Sequence, residues 1–352
     1  KQYLNENELI ELIALTGVMP GPSSTQTLIA IGYKVGGPIL AFLTFLVWAL
    51  PAIVVMTLFS FLSQLFSDAH WDYQWLRYIG PMAVGFIVLA SFRIGKKVIK
   101  KPIHGVLFLM GAVLTYFFRQ VWVFPTLLLV GGVVSVALSK TPGLWNKITV
   151  IPPWKYFVIF LVIAIGSTLL NQSISNRLVF LFTHFFQYGY LVIGGGQVVV
   201  PYMFSDLVEI HQFMSSEAFL IGFGLVQGIP GPMFSFAAYA GGMAMNSFSS
   251  VPHVLGGILS GIAIFLPGIL LIFFVYPIWS QVKQIKAIQL AIPGITSVAA
   301  GLIATSAVVL MQSNGFSLDN ILVLIGTVGL LWIKKIPAPL IVVLMVILGI
   351  IL

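Results

Sequence analysis

Apolar residues run along this chain in long uninterrupted stretches, with charge confined to short clusters between them. Residues 12–33, 36–66, 102–118, 120–139, 156–176, 178–205, 218–282 and 287–318 contain no Asp, Glu, Lys or Arg. Such stretches predict helices buried in lipid, because about 20 apolar residues cross a bilayer's hydrocarbon core. The run 218–282 is too long for one crossing and predicts at least one fold back. Membrane strands are excluded, since the period-two alternation of a barrel with a polar lumen is missing. The predicted class is all-α and polytopic, with room for roughly ten to twelve spans or part-spans.

The runs are interrupted in a recurring way. Residues 8–19 make only about half a span. Pro20-Gly21-Pro22 then removes two backbone donors and supplies a hinge before Ser23-Ser24-Thr25-Gln26 restarts a helix. The event recurs at Gln227-Gly228-Ile229 followed by Pro230-Gly231-Pro232, and a third break is Gly194-Gly195-Gly196-Gln197 ahead of Val198. The two Pro-Gly-Pro breaks lie 210 positions apart. Leu50-Pro51 and Leu266-Pro267, expected as kinks within long helices, are 216 apart, as are Gly85-Phe86-Ile87 and Gly301-Leu302-Ile303. Landmarks in one order at nearly one offset predict two copies of one unit.

Composition narrows the class. With 59% hydrophobic and only 7% charged residues, the chain can neither cover a soluble surface nor remain disordered. It has no cysteine, which excludes disulfides, thiolate nucleophiles, thiolate zinc sites and iron–sulfur clusters. The net charge of +8 reads as topology rather than as attraction for nucleic acid, because Lys and Arg collect in cytoplasmic loops. After the Gly85 segment the loop carries Arg93, Lys96, Lys97, Lys100 and Lys101, whereas after the Gly301 segment it carries Asp319. After the Pro51 segment the loop is acidic, with Asp68 and Asp72, whereas after the Pro267 segment it holds Lys283 and Lys286. Equivalent loops of opposite bias predict inverted repeats whose broken or re-entrant helices meet near the midplane.

The expected division is a first repeat over 1–139, a linker with a connecting membrane helix over 140–177, and a second repeat over 178–352. The first repeat lacks a counterpart of 178–205, so a leading helix is expected to be truncated or absent there. Trp71, Tyr73 and Trp75 read as interfacial anchors, and the basic loop 93–101 as a contact with anionic lipid. A homo-oligomer is compatible with the sequence.

The breaks carry the candidate chemistry. Unpaired backbone groups in lipid cost several kcal/mol each unless they line a cavity or pack on protein. Paired breaks in inverted halves mark a transporter's binding site. Each Pro-Gly-Pro precedes a helix, so free N–H groups and the positive end of the helix dipole favour an anion. Ser23, Ser24, Thr25 and Gln26 add donors in one copy, and Ser235, Gln227 and Gln197 in the other; the amides read equally as interhelical hydrogen bonds. No Lys or Arg lies in these runs except Lys34 at an end, so an anion would be held by neutral donors and could leave again.

Glu11, Glu217 and His184 are the candidates for proton coupling. Glu217 reads alternatively as a first-turn acid, and Glu11 and His184 as packing residues. His70, His104, His211 and His253 read as interfacial, and Asp68, Asp72, Asp206 and Asp319 are all placed near loops.

The segments Met19-Pro20-Gly21-Pro22-Ser23-Ser24-Thr25-Gln26, with Gly32-Tyr33 and Gly36-Gly37 after them, resemble the signature of the chromate ion transporter family. So do Gly194-Gly195-Gly196-Gln197-Val198-Val199-Val200-Pro201 and Gln227 to Pro232, and the resemblance spans nearly the whole chain. It implies a multi-pass carrier of a prokaryotic inner membrane that exports chromate, a sulfate-like oxyanion, at the expense of the proton gradient, in a two-domain form arisen by duplication. By match of motifs it implies binding at Gly21, Ser23, Ser24, Thr25 and Gln26, and at Gly195, Gly196, Gln197, Gly231 and Ser235. The sequence departs where Gly17 stands at the repeat position of Gln227. The alternatives are a carrier or channel for sulfate or another small anion, and an intramembrane enzyme. Against the enzyme stand the absence of a His-Glu-x-x-His pair and of cysteine. No cofactor, metal or nucleic acid is expected.

Overall fold

The computed structural model describes residues 4–68, 73–120, 122–145, 150–191, 196–333 and 335–351. Every regular element among the described residues is helical. The first part of the chain forms α1 (Glu6–Val18), α2 (Ser23–Asp68), α3 (Ile79–Val98), α4 (Pro102–Phe117) and α5 (Val123–Ala137), and α6 (Trp154–Ser173) follows. The remainder forms α7 (Arg177–Leu191), α8 (Val199–Phe204), α9 (Ser216–Val226), α10 (Phe236–Met243), α11 (Ser250–Ala263), α12 (Leu266–Val275), α13 (Trp279–Val282), α14 (Lys286–Asn314), α15 (Leu318–Ile333) and α16 (Ala338–Ile351). A π-helical turn, Ser205–Ile210, continues α8.

Among the described residues, five helical stretches can cross a membrane by length and apolarity: Ser23–Ser63, Gln74–Val98, Trp154–Ser173, Ser250–Val282 and Lys286–Asn314. Five shorter apolar helices accompany them. The chain is an all-α polytopic membrane protein. On α6 only Ser167 is buried, while Val158, Val162 and Ile165 are exposed, as a helix facing lipid on most sides requires.

The Pro-Gly-Pro segments are turns, not hinges within straight helices. α1 begins with a capping box in which Asn5 Oδ1 accepts from Glu8 N (2.8 Å) and Glu8 Oε2 accepts from Asn5 N (2.9 Å). A straight helix of the length of α2 would run about 70 Å, more than twice the hydrocarbon thickness. It breaks at Gly36 (φ −150°, ψ 25°) and at Gly37, whose φ of 69° needs a residue without a Cβ. The arm before that break runs antiparallel to α1: Thr16 Oγ1 and Thr27 Oγ1 are 2.8 Å apart, and Glu8 pairs with Lys34 at the open end. Residues 19–22 form the tip of this first hairpin. α9 and α10 make another, with Phe219 and Phe236 rings 4.9 Å apart. α7 and α8 make one between them, with Tyr188 and Tyr202 rings 4.8 Å apart. Gly194 and Gly195, between α7 and α8 in the chain, lie outside the described residues, as do His70, Trp71 and Asp72.

Pro51 is inside a continuous stretch of α2, but Pro267 stands in the first turn of α12, after α11 has ended; the kink expected at Pro267 is a helix start, where its missing N–H costs nothing. His253 and His104 are buried rather than interfacial: His253 Nε2 lies 2.9 Å from Ser60 Oγ, and His104 Nδ1 lies 2.9 Å from Val98 O.

Contacts between the two halves are reciprocal. Gly85 of α3 packs on Thr327 of α15, and Gly301 of α14 packs on the Phe108–Ala112 backbone of α4. Thr305 Oγ1 donates to Ala112 O (2.6 Å), Ser135 Oγ of α5 to Leu290 O (2.6 Å), and Ser91 Oγ of α3 to Ala300 O (2.9 Å). Small and hydroxylated residues let these backbones approach closely in a setting where apolar burial gives helices little preference for one another over lipid.

Candidate anion site at the hairpin tips

Both tips share one backbone feature. Gly21 has φ +114° and Gly231 φ +147°, a region that side-chain-bearing residues rarely adopt. The space around each is also closed. A Cβ on Gly21 would lie 2.9 Å from Gln26 Nε2 and 3.4 Å from Gly189 O, and one on Gly231 would lie 2.6 Å from Ala52 Cβ.

The tips pack crosswise. Gln26 at the first tip meets Gly268 of α12, where a Cβ would be 3.1 Å from Nε2. Gly231 at the other tip meets Ala52 of α2. Ala52 and Gly268 are themselves 216 positions apart, each directly after Pro51 or Pro267. Trp48 joins the tips: its Nε1 donates to Thr25 Oγ1 (3.4 Å), and its carbonyl oxygen is 3.9 Å from where a Gly231 Cβ would stand.

Donors gather here. Gln26 N makes the first i→i−4 bond of its helix, to Pro22 O (2.9 Å), which leaves the N–H groups of Ser23, Ser24 and Thr25 ahead of it. At the other tip Ser235 N bonds Pro232 O (2.9 Å), with the N–H groups of Met233 and Phe234 ahead. Thr25 and Ser235, at the same step after their Pro-Gly-Pro, are both fully buried, and Ser235 Oγ has no partner. Gln227 Nε2 is likewise buried and unpaired.

Other expected residues stand differently. Gln26 Nε2 donates to Pro20 O (2.6 Å), closing the turn, while its unpartnered Oε1 is an acceptor and repels an anion. Gln26 is therefore a clasp of the tip. Ser24 is exposed and Ser23 half-buried, its carbonyl taken by Thr27 Oγ1 (2.8 Å). Gly196 and Gln197 lie where the chain re-enters a helix just before α8, with Gln197 half-buried.

The carboxylates expected to carry protons are at hairpin openings. Glu11 pairs with Lys283 (2.5 Å), both about two-fifths exposed at 43% and 40%. Glu217 is exposed in the first turn of α9, where Ser215 Oγ accepts from Ala218 N (3.1 Å). His184 is different: its Nδ1 donates to Asp206 Oδ2 (2.7 Å). Asp206 is 1% exposed, so its assignment to a loop is corrected: it sits in the π turn packed against α7. His211, expected at the interface, belongs to the same cluster, with Nδ1 3.1 Å from Asp206 Oδ1. Tyr188 completes it by donating its hydroxyl to Oδ2. The spacing of His184 and Tyr188, four apart on one helix face, was the signal in the sequence.

The sequence profile of the chromate transporter family matches residues 1–136 and 179–350. The chain belongs to the chromate transporter family. The stretch between the two matched segments contains α6. Among relatives, a probable chromate transport protein of Synechococcus elongatus is 24% identical over 359 residues, covering 100% of this chain and 87% of its own. The chromate transport protein of Cupriavidus metallidurans is 23% identical, covering 97% of this chain and 82% of its own. An uncharacterized transporter of Methanocaldococcus jannaschii is 23% identical over 81% of this chain and 70% of its own. No solved structure matches the chain.

Proposed function

We propose that this chain is a secondary carrier, not an enzyme, that exports chromate across the cytoplasmic membrane in exchange for protons. Its two units, 1–139 and 178–352, are taken as inverted repeats joined by the α6 linker, 140–177. The observation that carries the binding site is the crosswise packing of two Pro-Gly-Pro tips, each with a positive-φ glycine and a buried hydroxyl one turn on. Thr25, Ser235, Gln227 and the leading N–H groups of the two helices are the binding groups; Gly21 and Gly231 allow the turns, Gln26 clasps the first, and Gly195, Gly196 and Gln197 are proposed as further binding residues. Cations nearest the hairpins are paired, Lys34 with Glu8 and Lys283 with Glu11, so the anion meets uncharged donors. Neutral donors at helix N-termini bind a tetrahedral dianion without fixing it permanently, which turnover requires.

Such a donor set reads charge and shape more than the central atom, and sulfate is therefore the expected competitor. In proteoliposomes holding the purified chain, chromate flux should saturate, be inhibited by sulfate and respond to an imposed pH gradient. Non-saturable chromate movement would remove the carrier assignment.

A further inference from the structure

We propose that Asp206, with His184, His211 and Tyr188, forms the proton-binding site of this carrier; the assignment rests on the proton-exchange reading above. Asp206 is the only one of the four Asp residues in the sequence that the structure places deep in protein among described side chains, and it sits in a π turn, a departure from α geometry that recurs at functional sites. Burying a carboxylate this deeply is costly unless it is paired and hydrogen-bonded.

The cluster is arranged to exchange a proton. The carboxylate accepts from His184 Nδ1 (2.7 Å) and from the Tyr188 hydroxyl, and His211 Nδ1 lies 3.1 Å from its Oδ1. His211 Nδ1 also faces Asp206 O at 2.9 Å. Each Nδ1 thus faces acceptors and carries a hydrogen, so the Nε2 of each ring is the position that gains or loses a proton. Imidazole is the side chain that does so near neutral pH, and the adjacent carboxylate balances the cation formed. Exposure rises outward, from 2% for the Asp206 side chain to 17% for His184 and 31% for His211, so the two rings lie between the buried carboxylate and the protein surface.

The other charged and titratable groups around the cluster are occupied or neutral. Glu209, on the same turn, is held by Arg119 at 2.5 Å, and Arg177 at the start of α7 lies over the Phe213 ring, 3.9 Å from its centroid. Tyr202 of α8 packs on Tyr188 with its hydroxyl buried. A mechanical link leads to the anion site. Tyr188 precedes Gly189, whose carbonyl oxygen lies 3.4 Å from the position of a Gly21 Cβ and whose own Cα packs directly on Ile264 O. A change in the charge of either imidazole therefore acts on the carboxylate that holds Tyr188, next to the point where α7 touches the first tip. In each cycle one Nε2–H bond forms with a proton from one side and breaks to release it to the other; no other covalent bond changes.

The test compares two fluxes in proteoliposomes: chromate accumulation driven by a pH gradient, and chromate–chromate exchange without one. For Asp206→Asn the ratio of driven accumulation to exchange is expected to collapse. Driven accumulation at the unmodified ratio would overturn the proposal. If Asp206→Asn yields no folded protein, His184→Gln and His211→Gln decide, because Gln can donate to the carboxylate but cannot titrate. The pH midpoint of driven accumulation should shift in both, and an unshifted midpoint in both overturns the site. A native chain whose flux ignores the pH gradient would overturn proton exchange itself, a result obtained before any variant is made.

Discussion

Ser235 and Thr25 occupy the same step after their turns but differ in what they touch. Thr25 Oγ1 accepts from Trp48, whereas Ser235 Oγ is buried without a partner, a state that costs about 1–3 kcal/mol in the absence of ligand. Ser235→Ala is accordingly expected to weaken chromate binding by about five- to tenfold, the equivalent of one hydrogen bond. The melting temperature should be unchanged or slightly raised, since no bond in the empty protein is lost; calorimetric titration and a thermal melt in detergent check the pair of outcomes. Gly231→Ala should behave in the opposite manner. Its positive φ and the nearby Ala52 Cβ make the substitution costly by roughly 1–2 kcal/mol or more, read as a lower melting temperature. At this scale the sequence made the donors legible, because hydroxyls directly after Pro-Gly-Pro can be read by eye. It did not reveal that Gln26 turns its amide back to Pro20, nor that Ser24 faces outward, since both depend on how the tip closes.

Among the elements, the hairpins explain why the carboxylates that looked functional are not at the centre. In an antiparallel pair whose tip is the Pro-Gly-Pro, a residue ten or so positions upstream lies at the open end, where Glu8 and Glu11 meet Lys34 and Lys283. Partly exposed pairs of this kind are worth about 1 kcal/mol or less. Glu11→Gln and Glu217→Gln are expected to leave the pH profile of chromate flux in place, and a flattened profile in either would restore that residue to the coupling machinery. The same geometry raises Asp206 from a residue near a loop to the inner end of a polar chain. Linear position located His184 in an apolar run but could not supply its partner, which arrives from the returning arm 22 residues later.

For the whole molecule, opposite loop charges and reciprocal contacts concern one relation between the halves. Gly85 on α15 is answered by Gly301 on α4, and the tip at Gln26 against Gly268 by the tip at Gly231 against Ala52. If the repeats are inverted, Lys97 at the end of α3 and Lys286 at the start of α14 face the cytoplasm together, and Asn320 faces the opposite side. The chain has no native cysteine, so single Lys97→Cys, Lys286→Cys and Asn320→Cys variants can be labelled with an impermeant maleimide without background. Labelling of the first two from one face and of the third from the other is expected; opposite accessibility of Lys97→Cys and Lys286→Cys would end the inverted arrangement.

Helical class, membrane residence, the duplicated landmarks and the positions of the breaks were all determined by the sequence alone, because they follow from local quantities: run length, missing backbone donors and loop charge. Tertiary structure decided the rest. That the chain reverses at each Pro-Gly-Pro, that each tip rests beside the other half's proline, and that Asp206 gathers two histidines and a tyrosine all depend on contacts between segments far apart in the chain. A run of apolar residues specifies a helix, but lipid is as apolar as its neighbours, so only the small residues and hydrogen bonds at each crossing choose which helices meet.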